Sequence, residues 1–215
     1  MKEQMKKALI ISILIVALTY LTGFYLYSQE PTIIATHWGA NGQVNGYTNK
    51  TFFTLFMPTL SLFLLLLLII MPKIDPLKKN YSSFQKEYDA FAILILLFFY
   101  LVYLAVLLYN LGYGFNMTQI ISLALAALLF YLGILLGNAK QNWFIGIRTP
   151  WTLSNKKVWN KTHALGGKLF KILGIIALIG VLSKTFLMVT IAFTIAAAII
   201  LVIYSYIEFR KETGK

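Results

Sequence analysis

The two histidines, His37 and His163, are the side chains best suited to proton transfer or metal binding at neutral pH. They stand in two polar segments, 28–50 and 138–167, with three long apolar runs between them. Three membrane crossings would put the histidines on opposite sides, so they cannot share a metal ion. The chain also lacks cysteine, which excludes disulfides, thiolate metal sites and cysteine nucleophiles. We therefore expect no metal, no cofactor and no catalytic residue.

Segment 138–167 is basic and rich in tryptophan. It holds five lysine or arginine residues, no acid, and three of the four tryptophans of the chain. Such a segment is typical of the cytoplasmic membrane interface, where tryptophan rings anchor the chain and basic groups attract anionic lipid. It would equally serve as a docking platform for a cytoplasmic protein, and the sequence leaves both interpretations open.

Local signals predict how this segment folds. Thr149 followed by Pro150 is typical of a helix N-cap and a first helical position, and Ser154 is an alternative cap. We predict a short helix over about residues 155–165, lying in the interface.

This short helix would place Trp159 and His163 four residues apart on one face. Before it, Arg148 offers a planar pair of donors that suits a carboxylate or phosphate of a partner or a lipid headgroup. The candidate residues for partner or lipid contact are Asn138, Asn142, Gly146, Arg148, Thr149, Pro150, Trp151, Trp159 and His163.

Segment 28–50 combines turn signals with aromatic side chains. Asn-Gly pairs at 41–42 and 45–46 favour turns, and the β-branched stretch 32–36 predicts a short strand. One interpretation is a hairpin whose tryptophan anchors it at the membrane surface. The other is an extracellular recognition surface, with a peptide ligand contacting His37, Trp38, Gly42, Gly46 and Tyr47.

Composition determines the class of protein. Hydrophobic residues make up 59% of the 215 residues, charged residues 12%, and the mean hydropathy is +0.76. A soluble domain has about 25% charged residues, so this chain has too little polar surface for one. Runs of about 20 apolar residues cross a bilayer core as helices. We predict an all-α membrane protein, a bundle of six spans: Ala8–Tyr27, Thr51–Met71, Ala90–Tyr109, Thr118–Gly137, Leu169–Ser183 extended back to about Ala164, and Thr185–Ile207.

The placement of lysine and arginine predicts the orientation. With six spans, 17 of the 19 basic residues fall on one side, and only Lys50 and Lys184 fall on the other. The positive-inside rule then puts both termini and segment 138–167 in the cytoplasm. This topology accounts for the net charge of +12, so we expect no direct binding to nucleic acid. No Asp, Glu or Arg lies within the spans, which argues against an ion-coupled transporter.

Gly133 and Gly137 form a GxxxG spacing in the fourth span. Two glycines four residues apart lie on one helix face and allow another backbone to approach closely. We interpret the pair as packing within one six-helix bundle, with a dimer interface as the alternative.

Both polar segments resemble the motifs of a known family. The run 137–167, with its elements NWF, GIRTPWT and H-x2-GG, resembles the signature of the SdpI/YfhL family. The run 31–50 resembles the short domain of unknown function DUF1648, which precedes that signature in full-length members. The resemblance divides the chain into a DUF1648-like region 1–72, a cytoplasmic linker 73–89 and an SdpI-like region 90–215.

The resemblance implies a function that composition does not supply. The family comprises multi-pass immunity proteins of the bacterial cell membrane that protect the cell from a secreted peptide toxin. Its namesake is also described as a receptor that, with toxin bound, holds a transcriptional repressor at the membrane. The implied partners are membrane lipid, an extracellular peptide toxin and a cytoplasmic repressor. The alternatives are a small membrane transporter, a membrane enzyme or a structural scaffold.

We predict that reporter fusions placed after Asn45 and after Asn155 report opposite sides of the membrane. The charge asymmetry requires Asn45 outside and Asn155 in the cytoplasm. Paired alkaline phosphatase and fluorescent protein fusions measure this directly. If both positions report the same side, the six-span topology is wrong.

Overall fold

The computed structural model describes residues 2–39, 42–182 and 184–214. It contains short 3-10 turns at Lys78–Ser83 and Gly180–Leu182. The helices and strands are, in chain order, α1 (Lys2–Leu26), β1 (Ile33–Trp38), β2 (Val44–Asn49), α2 (Lys50–Ile74), α3 (Gln85–Asn110), α4 (Met117–Asn138), α5 (Pro150–Ser154), α6 (Lys156–Ile179) and α7 (Lys184–Thr213).

Six helices of the described chain are long and apolar enough to cross a membrane: α1 to α4, α6 and α7. This confirms the six predicted spans. Their outward faces carry large apolar side chains, such as Leu14 and Leu21 of α1, which are 61% and 64% exposed. Such faces are stable against lipid acyl chains but not against water. The chain is therefore a multi-pass membrane protein.

The fifth span differs from its prediction. The expected short helix over 155–165 and the expected span from about Ala164 are one continuous helix, α6. Asn155, not Ser154, caps it, because the Asn155 side chain accepts two backbone N–H groups of the first turn, at 2.8 and 3.2 Å. The change from basic to apolar residues leaves the helix intact, since its backbone hydrogen bonds are local.

The junction of the last two spans is predicted at Ser183–Lys184. The structure ends α6 at Ile179, adds the 3-10 turn, and begins α7 at Lys184. Ser183 lies outside the described residues.

Helices α4 and α6 pack backbone against backbone through glycine. A Cβ atom added to Gly133 would lie 2.7 Å from the Lys171 nitrogen and 2.8 Å from the Gly167 oxygen. A Cβ added to Gly167 would lie 2.9 Å from the Gly133 oxygen and 3.1 Å from the Gly137 Cα. The GxxxG pair therefore serves a contact inside the bundle.

Strands β1 and β2 form an antiparallel hairpin between α1 and α2, with Ile33 opposite Asn49. This confirms the predicted strand. Asn110, at the end of α3, binds the hairpin: its Oδ1 accepts the Ala35 N–H at 2.7 Å, and its Nδ2 donates to the Ala35 oxygen at 3.0 Å. The chain after α4 contacts the opposite end of α2. The two polar segments thus lie at opposite ends of the bundle.

We predict that Gly133→Ala lowers the unfolding free energy by about 1–3 kcal/mol, the usual cost of overpacking. The added methyl group would collide with the backbone of α6, which cannot turn away as a side chain can. Gly137→Ala is the matched control, because a Cβ there meets nothing within 4 Å. Thermal unfolding in detergent compares the two, and equal stability would contradict the intramolecular contact.

Candidate functional site: the inner loop and the outer hairpin

The inner loop, residues 139–149 between α4 and α5, is built around the buried side chain of Asn142. Its Oδ1 accepts the N–H groups of Phe144 at 3.0 Å and Ile145 at 2.6 Å. Its Nδ2 donates to the carbonyl oxygens of Lys140 and Ile145, both at 2.9 Å. The site therefore needs a side chain that both donates and accepts, as an amide does.

Asp75, at the end of α2, binds the same loop and is 2% exposed. One carboxylate oxygen accepts the Trp143 N–H at 2.8 Å, and the other accepts the Leu77 N–H at 2.6 Å. The Tyr81 hydroxyl donates toward Asp75 at 3.3 Å and Asn142 at 3.2 Å. Burial and the Asp75 carboxylate raise the pKa of Tyr81 well above its usual value, so the hydroxyl remains a donor.

Arg148 binds the loop from its solvent side. Its Nη1 donates to the Trp143 carbonyl at 2.8 Å, while Asp75 accepts the N–H of the same residue. Both backbone polar groups of Trp143 are therefore occupied. Arg148 itself is exposed, and Trp143 is 49% exposed. The loop presents a cation and an aromatic side chain on a well-positioned backbone.

His163 and Trp159, both buried in α6, support the far end of the loop with rings stacked 3.8 Å apart. The His163 Nδ1–H donates to the Trp159 carbonyl at 2.9 Å, so Nε2 accepts the Ile147 N–H at 3.0 Å. Because one ring nitrogen donates and the other accepts, the His163 imidazole is neutral. Gly146 has a φ of 115°, and a Cβ there would collide with the His163 Nε2, so only glycine fits.

Thr149 is the N-cap of α5, and Pro150 is its first residue, which confirms the predicted cap. The Thr149 hydroxyl accepts the Thr152 N–H at 3.2 Å, and the Thr152 hydroxyl accepts the Thr149 N–H at 2.9 Å. The Thr149 hydroxyl also lies 3.0 Å from the Ser205 hydroxyl of α7. The cap thus joins the inner loop to the last span.

The structure divides the predicted contact residues of this end into two groups. The buried group makes the internal hydrogen bonds of the loop and its supports, and consists of Asn142, Thr149, Trp159 and His163. The second group is exposed or half-buried, and consists of Asn138, Gly146, Arg148, Pro150 and Trp151. Trp151 packs against Tyr206 of α7, with ring centroids 5.0 Å apart. In this conformation only the second group is accessible to a lipid or a protein.

Sequence reasoning missed three members of this site: Asp75, Tyr81 and Trp143. Asp75 and Tyr81 lie between α2 and α3, far from the loop in sequence, and no local motif connects them to it. Trp143 carried a signal, because a tryptophan in a segment rich in basic residues is a typical contact residue.

The outer hairpin, residues 31–50, exposes Tyr47 and His37. Tyr47 is 65% exposed. Trp38 points inward instead, and its ring packs edge-on against Tyr109 of α3, with centroids 5.0 Å apart. The five predicted ligand residues therefore lie on one hairpin, but Trp38 has a packing role as well.

The two glycines of this group have structural reasons to be glycine. Gly42 has a φ of 74°, in the left-handed region that a tight turn requires. Gly46 lies opposite His37 in the hairpin, and a Cβ there would lie 2.8 Å from the His37 Cβ.

Across the described ranges, no three His, Cys, Asp or Glu side chains come together as a metal site. His37 is in the hairpin and His163 at the other end of the bundle, as their sequence positions predict.

Comparisons with known proteins identify the family of this chain. Residues 138–205 match the model of the SdpI/YfhL protein family, and residues 14–62 match that of the domain of unknown function DUF1648. The immunity protein SdpI of Bacillus subtilis (strain 168) is 31% identical over 209 residues, which cover 95% of this chain and 97% of the relative. No solved structure matches the chain. The inner loop lies inside the family match, and both polar segments lie inside the length aligned with the relative. This chain therefore belongs to the SdpI/YfhL family.

Proposed function

We propose that this protein protects a bacterial cell from a secreted antimicrobial peptide by binding the peptide at the membrane. The observation that carries the proposal is the likeness, over nearly the whole chain, to a protein named for immunity. Six candidate spans would place the chain in the membrane, where a membrane-active peptide exerts its effect. The proposed role is binding and not catalysis.

The outer hairpin is the proposed contact surface for the toxin. Its predicted side is the extracellular one, and Tyr47 and His37 are exposed there. Tyrosine is favoured at such surfaces because it supplies a large contact area at a low cost in conformational entropy. Asn110 binds the hairpin to α3, so a ligand that moves the hairpin acts directly on the bundle.

We predict that combined His37→Ala and Tyr47→Ala substitution lowers the tolerated toxin concentration by about tenfold, since two modest contacts together amount to about 1.4 kcal/mol or more. Adding Trp38→Ala should lower it further, through both contact and packing. Growth of expressing cells under toxin challenge, at matched protein abundance, measures the effect.

Tyr113→Ala is the matched control for these substitutions. Tyr113 is 61% exposed in the turn between α3 and α4, at the same end of the bundle as the hairpin. Its loss should leave protection unchanged. Full protection by the triple variant of His37, Trp38 and Tyr47 would remove the hairpin from the proposal.

We further propose that the inner loop presents Arg148 and Trp143 to a cytoplasmic repressor. Both side chains are exposed, and both belong to the residue types that dominate binding energy at interfaces. Asp75 accepts the Trp143 N–H, and Arg148 donates to the Trp143 carbonyl. These bonds position the two residues in advance, which lowers the entropy cost of binding. A receptor role also requires two states of the bundle that the toxin binds unequally.

We predict that Arg148→Lys weakens repressor recruitment to the membrane by about tenfold or more, nearly as much as Arg148→Ala. Lysine keeps the charge but loses the planar pair of donors, a loss on the order of 1.5–3 kcal/mol. Co-sedimentation of the repressor with membranes measures recruitment, and protein abundance must stay unchanged. Lys140→Ala, an exposed neighbour, should recruit normally. Normal recruitment by the lysine variant would remove the specific contact between Arg148 and the repressor from the proposal.

An apolar groove between α3 and α4 gives the transporter and enzyme alternatives little support. This groove, of ≈ 540 Å³, is lined by leucine, isoleucine, phenylalanine and alanine side chains. A substrate site normally adds a few convergent polar groups that orient the substrate. An acyl chain fits this lining better than a polar metabolite does.

A further inference from the structure

Glu30 lies in the turn between α1 and β1, at the base of the outer hairpin, and is only 4% exposed. Both carboxylate oxygens are buried and have no hydrogen-bond partner. Buried carboxylates are normally paired or hydrogen-bonded, because removal of the charge from water is costly. The proposed toxin contact does not use this group, so its burial needs a separate explanation.

Lys50, the first residue of α2, does not pair with this carboxylate. Its Nζ donates to the backbone oxygens of Tyr27 at 3.0 Å and Glu30 at 2.8 Å, and lies 4.7 Å from the centre of the Tyr27 ring. The Lys50 N–H also donates to the Thr32 oxygen at 3.0 Å. Lys50 therefore closes the base of the hairpin through backbone contacts, and its charge acts on the carboxylate only at a distance.

The other groups around Glu30 are neutral. Tyr103 of α3, fully buried, is close enough to interact electrostatically with it. In the hairpin, Ile34 and Ala35 are buried beside the bundle. Such surroundings favour the uncharged acid: burial raises the pKa of Glu30 to about 7, and Lys50 opposes this rise only in part.

We propose that the outer hairpin is a proton-sensitive cover, closed while Glu30 carries a proton and released when the proton leaves. This inference goes beyond the proposed immunity function and does not rest on it. Release would hydrate the carboxylate and expose Ile34 and Trp38. His37 does not face this site, because it is exposed and paired with Asn45 of the neighbouring strand.

The direction of the pH effect follows from linkage. The closed form binds the proton more tightly than the open form, in which Glu30 has its ordinary acidity near 4.5. Rising pH must therefore favour the open form between that value and about 7, with little further change above it.

Because the chain has no cysteine, single cysteines can report the position of the hairpin. In purified protein in detergent, Ala35→Cys places a thiol at a position that is 5% exposed, so maleimide reaches it only when the hairpin opens. Tyr47→Cys, at a position 65% exposed, reports the intrinsic reactivity at each pH. Thiol ionisation speeds labelling at both positions as the pH rises, so the ratio of the two rates reports the opening of the hairpin.

We expect this ratio to rise by about tenfold or more between about pH 5.5 and 8.5 when Glu30 is present. In the Glu30→Gln background, whose neutral amide resembles the protonated acid, the ratio should stay low at every pH. Glu30→Gln should also unfold at a temperature at least as high as the unsubstituted protein at about pH 8.

Three results would overturn the proposal. The first is a labelling ratio that does not change with pH in the protein with Glu30. The second is the same rise in the Glu30→Gln background, which would assign the effect to another group. The third is a Glu30→Gln protein that fails to fold, because the proposal requires the neutral side chain to favour the closed hairpin.

Discussion

The backbone of the inner loop lies outside helices and strands, so its N–H and C=O groups must find partners among side chains, and this requirement organises one end of the molecule. Asn142 and Arg148 supply partners from within the loop, and Asp75 and His163 reach it from other parts of the chain. Each of these bonds ends on a loop backbone atom. The loop shape, and with it the exposure of Trp143, depends on all of them together.

The same bonds connect the two halves of the chain. Helix α2 runs without interruption from the outer hairpin, where Asn49 caps it, to Asp75, which binds the Trp143 N–H. At the hairpin end, Asn110 connects the strands to α3. Pro58 and Pro72 each remove one backbone hydrogen bond inside α2, but the helix still connects the hairpin directly to the inner loop. The proposed receptor role would require such a connection and, in addition, a second state of the bundle.

Sequence patterns predicted much of the fold and only part of the site. Six apolar runs, the Thr149 cap, the hairpin strand and the shared helix face of Trp159 and His163 all follow from periods or pairs close in the chain. The roles of Asp75 and Glu30 did not follow, because burial of an acid cannot be read from its neighbours in sequence. The short interfacial helix predicted over about 155–165 is instead the first part of α6, since hydropathy reports the surroundings of a helix and not its continuity.

By itself, the sequence determined the class of protein, the number of spans and the family, since hydrophobic length and local motif residues are properties of the chain alone. The predicted orientation also rests on sequence alone. Only the tertiary structure decided which polar side chains face inward: Asn142 and His163 became internal supports, while Arg148 stayed exposed. The physical reason is that hydrogen-bond satisfaction in a buried loop depends on partners from distant segments, whose approach is set by close helix contacts such as that between Gly133 and Gly167.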